Sequence, residues 1–289
     1  MAGKGIYYES QFEEATIELL REAHWQYTFG DDIHRKYTDP LIEEDLRNFL
    51  AAQYKDRDLT TSEIDGIVAN LRNTGGQNDY YALRNAFLLY RDGYDFAYSD
   101  GRDNPFRLEY IDFEHPDHNI FRCVNQFVME QGRENRRPDI LLFINGIPVC
   151  IIELKNPTKQ NATIRDAHTQ ICIRYTRDIP TLLKYCALAV ISDGAKNALG
   201  TTYTPFEFFY EWKKIENEDK AGKGLDTLRT LIRGALSPER ILEILRDYVY
   251  FPDPTKEDDT TEIVCRYPQF FATRKLRDHI LNHLRSVGG

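Results

Sequence analysis

The sequence predicts an α/β fold, a mixed central sheet flanked by helices, with helical extensions at both ends. Three observations carry this reading. Apolar residues recur at helical spacing through most of the first ninety positions. Two apolar runs, 139–144 and 148–154, are joined by Asn145-Gly146, the strongest short hairpin signal a sequence offers. A third apolar run, 185–192, follows after an intervening helical stretch.

Taken in order, residues 10–24 read as a helix with Phe12, Ala15, Thr16, Leu19, Leu20 and Ala23 on one face. Ser10 followed by Glu13 has the form of a capping box at its start. Residues 40–55 and 59–72 give two more helices, the second opened by Thr61, Ser62 and Glu63, and 79–90 gives another. From 106 to 126 the texture becomes strand-like, with an imperfect period of two through Leu108, Tyr110 and Phe113. The two runs of the hairpin lack clean alternation, so both of its faces are expected to be buried. Residues 162–175 read as a helix. The strand at 185–192 stops at Asp193-Gly194, and from Gly222 onward the chain is mostly helical, ending in a helix over 272–287.

Composition narrows the functional classes. Hydrophobic residues make up 42% and charged residues 29%, a globular balance, and no apolar run approaches bilayer length. The beginning of the chain turns acidic at once and lacks the apolar segment of a secretory signal. Five scattered cysteines, Cys123, Cys150, Cys172, Cys186 and Cys265, form no C-x-x-C pair and argue against a disulfide framework or zinc cluster. A cytoplasmic location is expected. The net charge of −9 disfavours tight autonomous binding to nucleic acid but is compatible with a carboxylate-built metal centre.

The chemistry-bearing pattern is Asp139, thirteen intervening residues, then Glu153-Leu154-Lys155. Phosphodiester hydrolysis needs a cation to neutralise phosphate charge and lower the pKa of an attacking water. Mg²⁺ takes oxygen ligands and uses one or two carboxylates, which Asp139 and Glu153 would supply. Residues 153 and 155 project to one side of a strand, so the Lys155 ammonium would stand beside that water. The acid-x-Lys string is weak alone and also occurs at Glu211-Trp212-Lys213 and Glu218-Asp219-Lys220, but in polar sequence. Only at Lys155 do charges end an apolar strand, where unpaired charge is costly. A structural ion pair between Glu153 and Lys155 is the competing reading.

Strand parity imposes a condition. With a plain two-residue turn at Asn145-Gly146, Asp139 would oppose Ile152, and Glu153 would point to the other face. Either a three-residue loop, Asn145 to Ile147, with Gly146 at positive φ, or a β-bulge near Asp139, would shift the pairing by one.

These features, Pro138-Asp139, Ile152-Glu153-Leu154-Lys155-Asn156-Pro157, Asp178-Ile179-Pro180 and Ile191-Ser192-Asp193-Gly194, resemble the N-terminal nuclease region of the R (restriction) subunit of type I restriction-modification enzymes, of the PD-(D/E)xK superfamily. The resemblance covers most of the chain, from the Phe12-Glu13-Glu14 helix onward. It implies a Mg²⁺-dependent endonuclease acting on double-stranded DNA beside methylase and specificity subunits. A non-cleaving scaffold that docks the motor to those subunits is an alternative, as is a repair or junction nuclease of the same fold. Residues 266–272 resemble the segment before the family's first ATP-binding motif, where Gln269 would contact adenine. No Walker A string occurs in the chain, whose last residues fall about where that loop would begin. The implied organisation is an endonuclease domain over 1–236 and a helical segment over 237–289 leading into an ATP-dependent motor.

The resemblance also implies a Gln-x-x-x-Tyr motif after the hairpin. The candidates Gln170 and Tyr175 are five apart rather than four, a mismatch of about 100° on an α-helix. DNA contact and simple helix packing both remain open for them. Glu13 is a further candidate metal ligand from the first helix, with the capping-box role as its alternative. Arg133, Arg136 and Arg137 precede Asp139 and are candidates for phosphate contact. Among the histidines only His279 and His283 stand at a ligand-like spacing, without a third ligand nearby.

Overall fold

The structure, a computed structural model, describes residues 3–155, 163–216, 222–252 and 260–287. At its centre is a six-stranded mixed sheet. In chain order its strands are β1 (Gln26–Phe29), β2 (Phe121–Asn125), β3 (Ile140–Ile144), β4 (Ile147–Leu154), β5 (Leu188–Ser192) and β6 (Asn197–Gly200), and they lie side by side in that same order. The β1–β2 and β4–β5 pairs are parallel; the others are antiparallel. The expected hairpin β3–β4 is therefore in the middle, and every residue of both strands is buried. That is why its sequence runs apolar rather than alternating.

Helices cover both faces. On one side Cys123, Leu142, Cys150, Ile152 and Val190 join a large core with α1 (Gly3–Glu22), α2 (Glu43–Gln53), α3 (Thr61–Asn73) and α4 (Asp79–Asp92). The same core takes in Leu228 and Leu231 of α6 (Leu225–Leu231) and Ile241, Leu242, Ile244 and Leu245 of α7 (Pro238–Asp247). On the other side Val124, Leu141, Phe143, Ile151, Ala189 and Ile191 pack against Ala167, Ile171 and Tyr175. Those three residues belong to α5 (Ile164–Thr169) and the helical turns that continue it. The last helix, α8 (Tyr267–Val287), starts five residues before the expected position and is anchored by buried Phe270 against Trp212 and Tyr248. Beyond that anchor Leu276, Ile280, Leu281 and Leu284 are exposed.

Three local expectations are corrected. The first helix begins at Gly3, so Ser10 and Glu13 lie inside it and form no N-terminal capping box. A capping box does open α3, with Thr60 as the cap and Glu63 as its partner, one residue before the expected cluster. The hairpin turn is a plain two-residue turn, since Ile144 pairs directly with Ile147. Asn145 and Gly146 both take positive φ, 51° and 76°, as a turn that follows the sheet twist requires.

The register shift that the chemistry needs is nonetheless present. Phe143 pairs with Pro148 and Leu142 with Cys150, leaving Val149 as the extra residue of a bulge. Pro148 has no N–H to give the ladder, which makes this the natural place for pairing to slip. From there Ile140 opposes Ile152, and the next pair in that register is Asp139 with Glu153. The bulge sits beside the turn, at the opposite end of the hairpin from Asp139.

The turn itself is pinned from outside. The Ile42 N–H donates to the Gly146 carbonyl at 2.9 Å, and a Cβ added at Gly146 would lie 2.1 Å from the Ile42 oxygen. Gly146→Ala should therefore destabilise the chain by about 1–3 kcal/mol, through positive φ and the clash together. A chemical-denaturation midpoint unchanged from wild type would contradict this.

Candidate active site

Parity after the bulge puts Asp139, Leu141 and Phe143 of one strand, and Ile151 and Glu153 of the other, on the face covered by α5. Asp139 precedes β3. Its Oδ2 accepts from the Leu154 N–H at 2.7 Å, so the carboxylate reaches across the hairpin to the Glu153-Leu154 peptide. Glu153 is 1% exposed and its Oε2 has no hydrogen-bond partner. Lys155 follows the end of β4, its backbone N–H extending the parallel ladder to the Ser192 carbonyl at 2.7 Å. Its ammonium donates to Glu153 Oε1 at 2.8 Å and to Gln170 Oε1 at 2.7 Å. Gln170 Nε2 in turn donates to the Tyr175 hydroxyl at 2.7 Å. The chain Glu153–Lys155–Gln170–Tyr175 is continuous. Asn156 and Pro157 lie outside the described residues.

The five-residue separation of Gln170 and Tyr175 has a structural answer. Residues Gln170–Tyr175 form a π-helical turn, in which one additional residue is accommodated per turn. On a regular α-helix an i,i+5 pair would stand about 140° apart. The π turn absorbs the inserted residue and returns both side chains to the sheet-facing side, so both meet the site.

Electrostatics at the centre are strained in one direction. Burial pushes the Glu153 carboxyl well above the usual carboxylate range, and the neighbouring Asp139 pushes it the same way; Lys155 pulls it down only in part. Burial and the Glu153 charge likewise drive the Tyr175 phenol far upward. A buried acid with an unpartnered oxygen, a second acid next to it and a lysine alongside is an arrangement that a bound cation would relieve. The donors are all oxygen, which suits Mg²⁺ rather than a thiolate- or imidazole-seeking metal.

The other candidates fall into place around this centre. Glu13 accepts from Asn125 Nδ2 at 2.7 Å and from Gln126 Nε2 at 2.9 and 3.0 Å. The Gln126 N–H donates to the Asp139 carbonyl at 3.2 Å, so Glu13 stands at the same sheet end, one residue removed from Asp139. Among the described residues, Glu13, Asp139 and Glu153 do not form a group of three ligand oxygens within 4.8 Å of one another. Gln126, with φ of 55°, was not legible as part of the site; a glutamine at a strand end carries no signal of its own. Arg136 is held by buried Asp178, Nε to Oδ2 at 2.8 Å, and by Glu134. Arg177 first and Arg136 second keep the Asp178 carboxyl low. Arg133 and Arg137 are exposed. Gln269 Oε1 accepts from the Arg266 N–H at 2.8 Å and lines a cavity of about 420 Å³ with Tyr203, Phe208 and Glu262, remote in sequence from the hairpin.

Residues 6–208 match the model of the family described as type I restriction enzyme R protein N terminus. The chain belongs to that family. Among its relatives, the type I restriction enzyme HindI endonuclease subunit of Haemophilus influenzae is 27% identical over 93% of this chain and 26% of its own length. A putative type I restriction enzyme endonuclease subunit of Methanocaldococcus jannaschii, MjaVIIIP, is 30% identical over 97% of this chain and 26% of its own. A second from that organism, MjaIXP, is 26% identical over 93% of this chain and 27% of its own. The chain thus spans about a quarter of the length of these relatives. No helix among the described residues is long and apolar enough to cross a membrane.

In this R-subunit N-terminal region the raised Glu153 carboxyl has a consequence for stability. Its folded pKa lies above its unfolded value, so the folded chain keeps a proton that the unfolded chain releases. The associated stability is present below the unfolded pKa of about 4.3 and is lost as pH rises toward the folded value. In chelator, Glu153→Gln should therefore melt higher than wild type, with a gap that widens as pH rises above that point. A gap independent of pH would contradict the assignment.

Proposed function

We propose that Asp139, Glu153 and Lys155 form a Mg²⁺-dependent DNA-cleaving centre of the PD-(D/E)xK type within a type I restriction R subunit. The observation that supports this best is the buried, unpartnered Glu153 oxygen beside Asp139, with Lys155 aimed at the same carboxylate. Asp139 and Glu153 would hold the cation, which when bound supplies charge neutralisation at the phosphate and a more acidic water. Lys155 is a poor metal ligand while protonated. Its ammonium, fixed by Gln170, would orient the attacking water and offset charge on the phosphate oxygens. Gln170 and Tyr175 then act as positioning residues, holding Lys155 at one height above the strand. Arg137, exposed just before Pro138-Asp139, is the nearer candidate for phosphate contact, because Arg136 is already committed to Asp178. Glu13 would act through Gln126 and the Asp139 backbone, shaping the site rather than holding the cation directly.

The partners proposed on this reading are double-stranded DNA and the methylase and specificity subunits of a restriction complex, in the cytoplasm. ATP would be used by a motor beyond this region, with Gln269 contacting the nucleotide in the longer protein. A scaffold without cleavage is disfavoured by the intact acid, acid and lysine set, since two neighbouring acids with one buried oxygen left unsatisfied are a stability cost that a purely structural role would not retain.

The test is Lys155→Ala in the assembled, full-length enzyme, with cleavage and ATP hydrolysis measured together. Cleavage should fall by about 100-fold or more while ATP hydrolysis persists. Wild-type cleavage by this variant would sink the reading.

A further inference from the structure

A second cluster lies at the far end of the hairpin, in the loop before β2. Asp112, His115 and His118 bring one carboxylate oxygen and two ring nitrogens within 4.8 Å of one another. Asp112 Oδ2 is 2.9 Å from His118 Nδ1 and 3.3 Å from His115 Nδ1. Four donors at about 2.0–2.1 Å from a tetrahedral cation stand about 3.3 Å from each other, which these separations approach. The spacing Asp112-x-x-His115-x-x-His118 is present in the sequence, but in a loop, where no fixed periodicity tells which side chains converge.

Two further observations point to a ligand. Gln53 Nε2 also reaches Asp112 Oδ2, at 3.1 Å, so three nitrogens converge on one buried oxygen that has about two lone-pair directions to offer. A cation on that oxygen would turn both imidazoles from crowded donors into acceptors. The stacked rings of His115 and His118, centroids 4.8 Å apart, also place both Nδ1 atoms toward Asp112 while 63% and 48% of the side chains remain exposed. The surroundings are acidic, with Glu109 and Glu114 nearby. Arg246, which reaches Glu114 and the Phe113 carbonyl, is also taken up by Asp247.

We propose that Asp112, His115 and His118 bind a divalent transition-metal ion, Zn²⁺ by preference, at a site separate from the Asp139–Glu153 centre. The imidazole donors select against Mg²⁺ and for the softer ion. The site's place in the fold gives it a role. Asn119 Nδ2 donates to the Asp112 carbonyl, Asn119 Oδ1 accepts from the Asp112 N–H, and that same oxygen accepts from Asn145 Nδ2. Metal on Asp112 therefore braces the loop that grips the β3–β4 turn from outside, away from the chemistry.

The test uses the 289-residue chain. Equilibrium dialysis against Zn²⁺ should load one ion per chain, equally in Glu153→Gln, and that ion should be absent in His115→Ala/His118→Ala. A variant-free readout runs alongside: Co²⁺ added to wild type should give the visible absorption of a low-coordinate site, and Zn²⁺ should shift the ring-nitrogen resonances of two histidines. Equal metal uptake by wild type and the double-histidine variant, or ring-nitrogen resonances unmoved by saturating Zn²⁺, would overturn the proposal.

Discussion

Everything at the candidate centre depends on strand parity. Side chains alternate along a strand, so two acids on neighbouring strands share a cation only if their register places them on one face. With the two-residue turn at Asn145-Gly146 alone, Asp139 and Glu153 would face opposite layers of the sheet. One surplus residue, Val149, reverses that outcome. It delivers Asp139, Glu153 and Lys155 to the side where the π turn after α5 brings Gln170. The remaining architecture serves to keep this register. Both faces of the hairpin are buried, Ile42 holds the turn, and the parallel β5 carries the ladder through Lys155 to Ser192.

The same accounting recurs in the helix opposite. Gln170 and Tyr175 are one residue too far apart for an α-helical face, and a π turn takes up the difference. Bulge and π turn are equivalent devices: each absorbs one residue at a local cost so that a polar side chain meets the site in phase. The π turn stands beside the Glu153–Lys155 pair, and the bulge acts on that pair from the turn end of the same hairpin. Both irregularities stay within the buried core, where Leu141, Phe143, Ile151 and Ile171 still pack in one apolar cluster.

Much of this was legible in the chain. Unbroken apolar runs around Asn145-Gly146 can only be a hairpin buried on both faces, and charge at the end of such a run singles out Glu153 and Lys155. The need for a register shift followed from parity alone. Its location did not, because turn length and bulge position trade off against each other and the sequence constrains only their sum. Strands β1 and β6 escaped notice for a different reason. Gln-Tyr-Thr-Phe and Asn-Ala-Leu-Gly are four residues each, too short for a period, and β1 becomes a strand only by pairing with residues far along the chain. The first helix shows the limit of cap signals, since Ser10 and Glu13 fit a capping box but the helix simply continues past them to Gly3. Its consequence for the site is direct: Glu13, released from capping, turns to Asn125 and Gln126 at the end of the sheet that carries Asp139.

The central claim is that the bulge-set register creates a site where two carboxylates hold a hard cation and a lysine stands by without holding it. Binding of Mn²⁺ in place of Mg²⁺, followed by electron paramagnetic resonance on the 289-residue chain, tests this most directly. The account predicts that Asp139→Asn and Glu153→Gln each lose the bound Mn²⁺ signal, whereas Lys155→Ala keeps it. Mn²⁺ binding by Glu153→Gln indistinguishable from wild type would contradict the account.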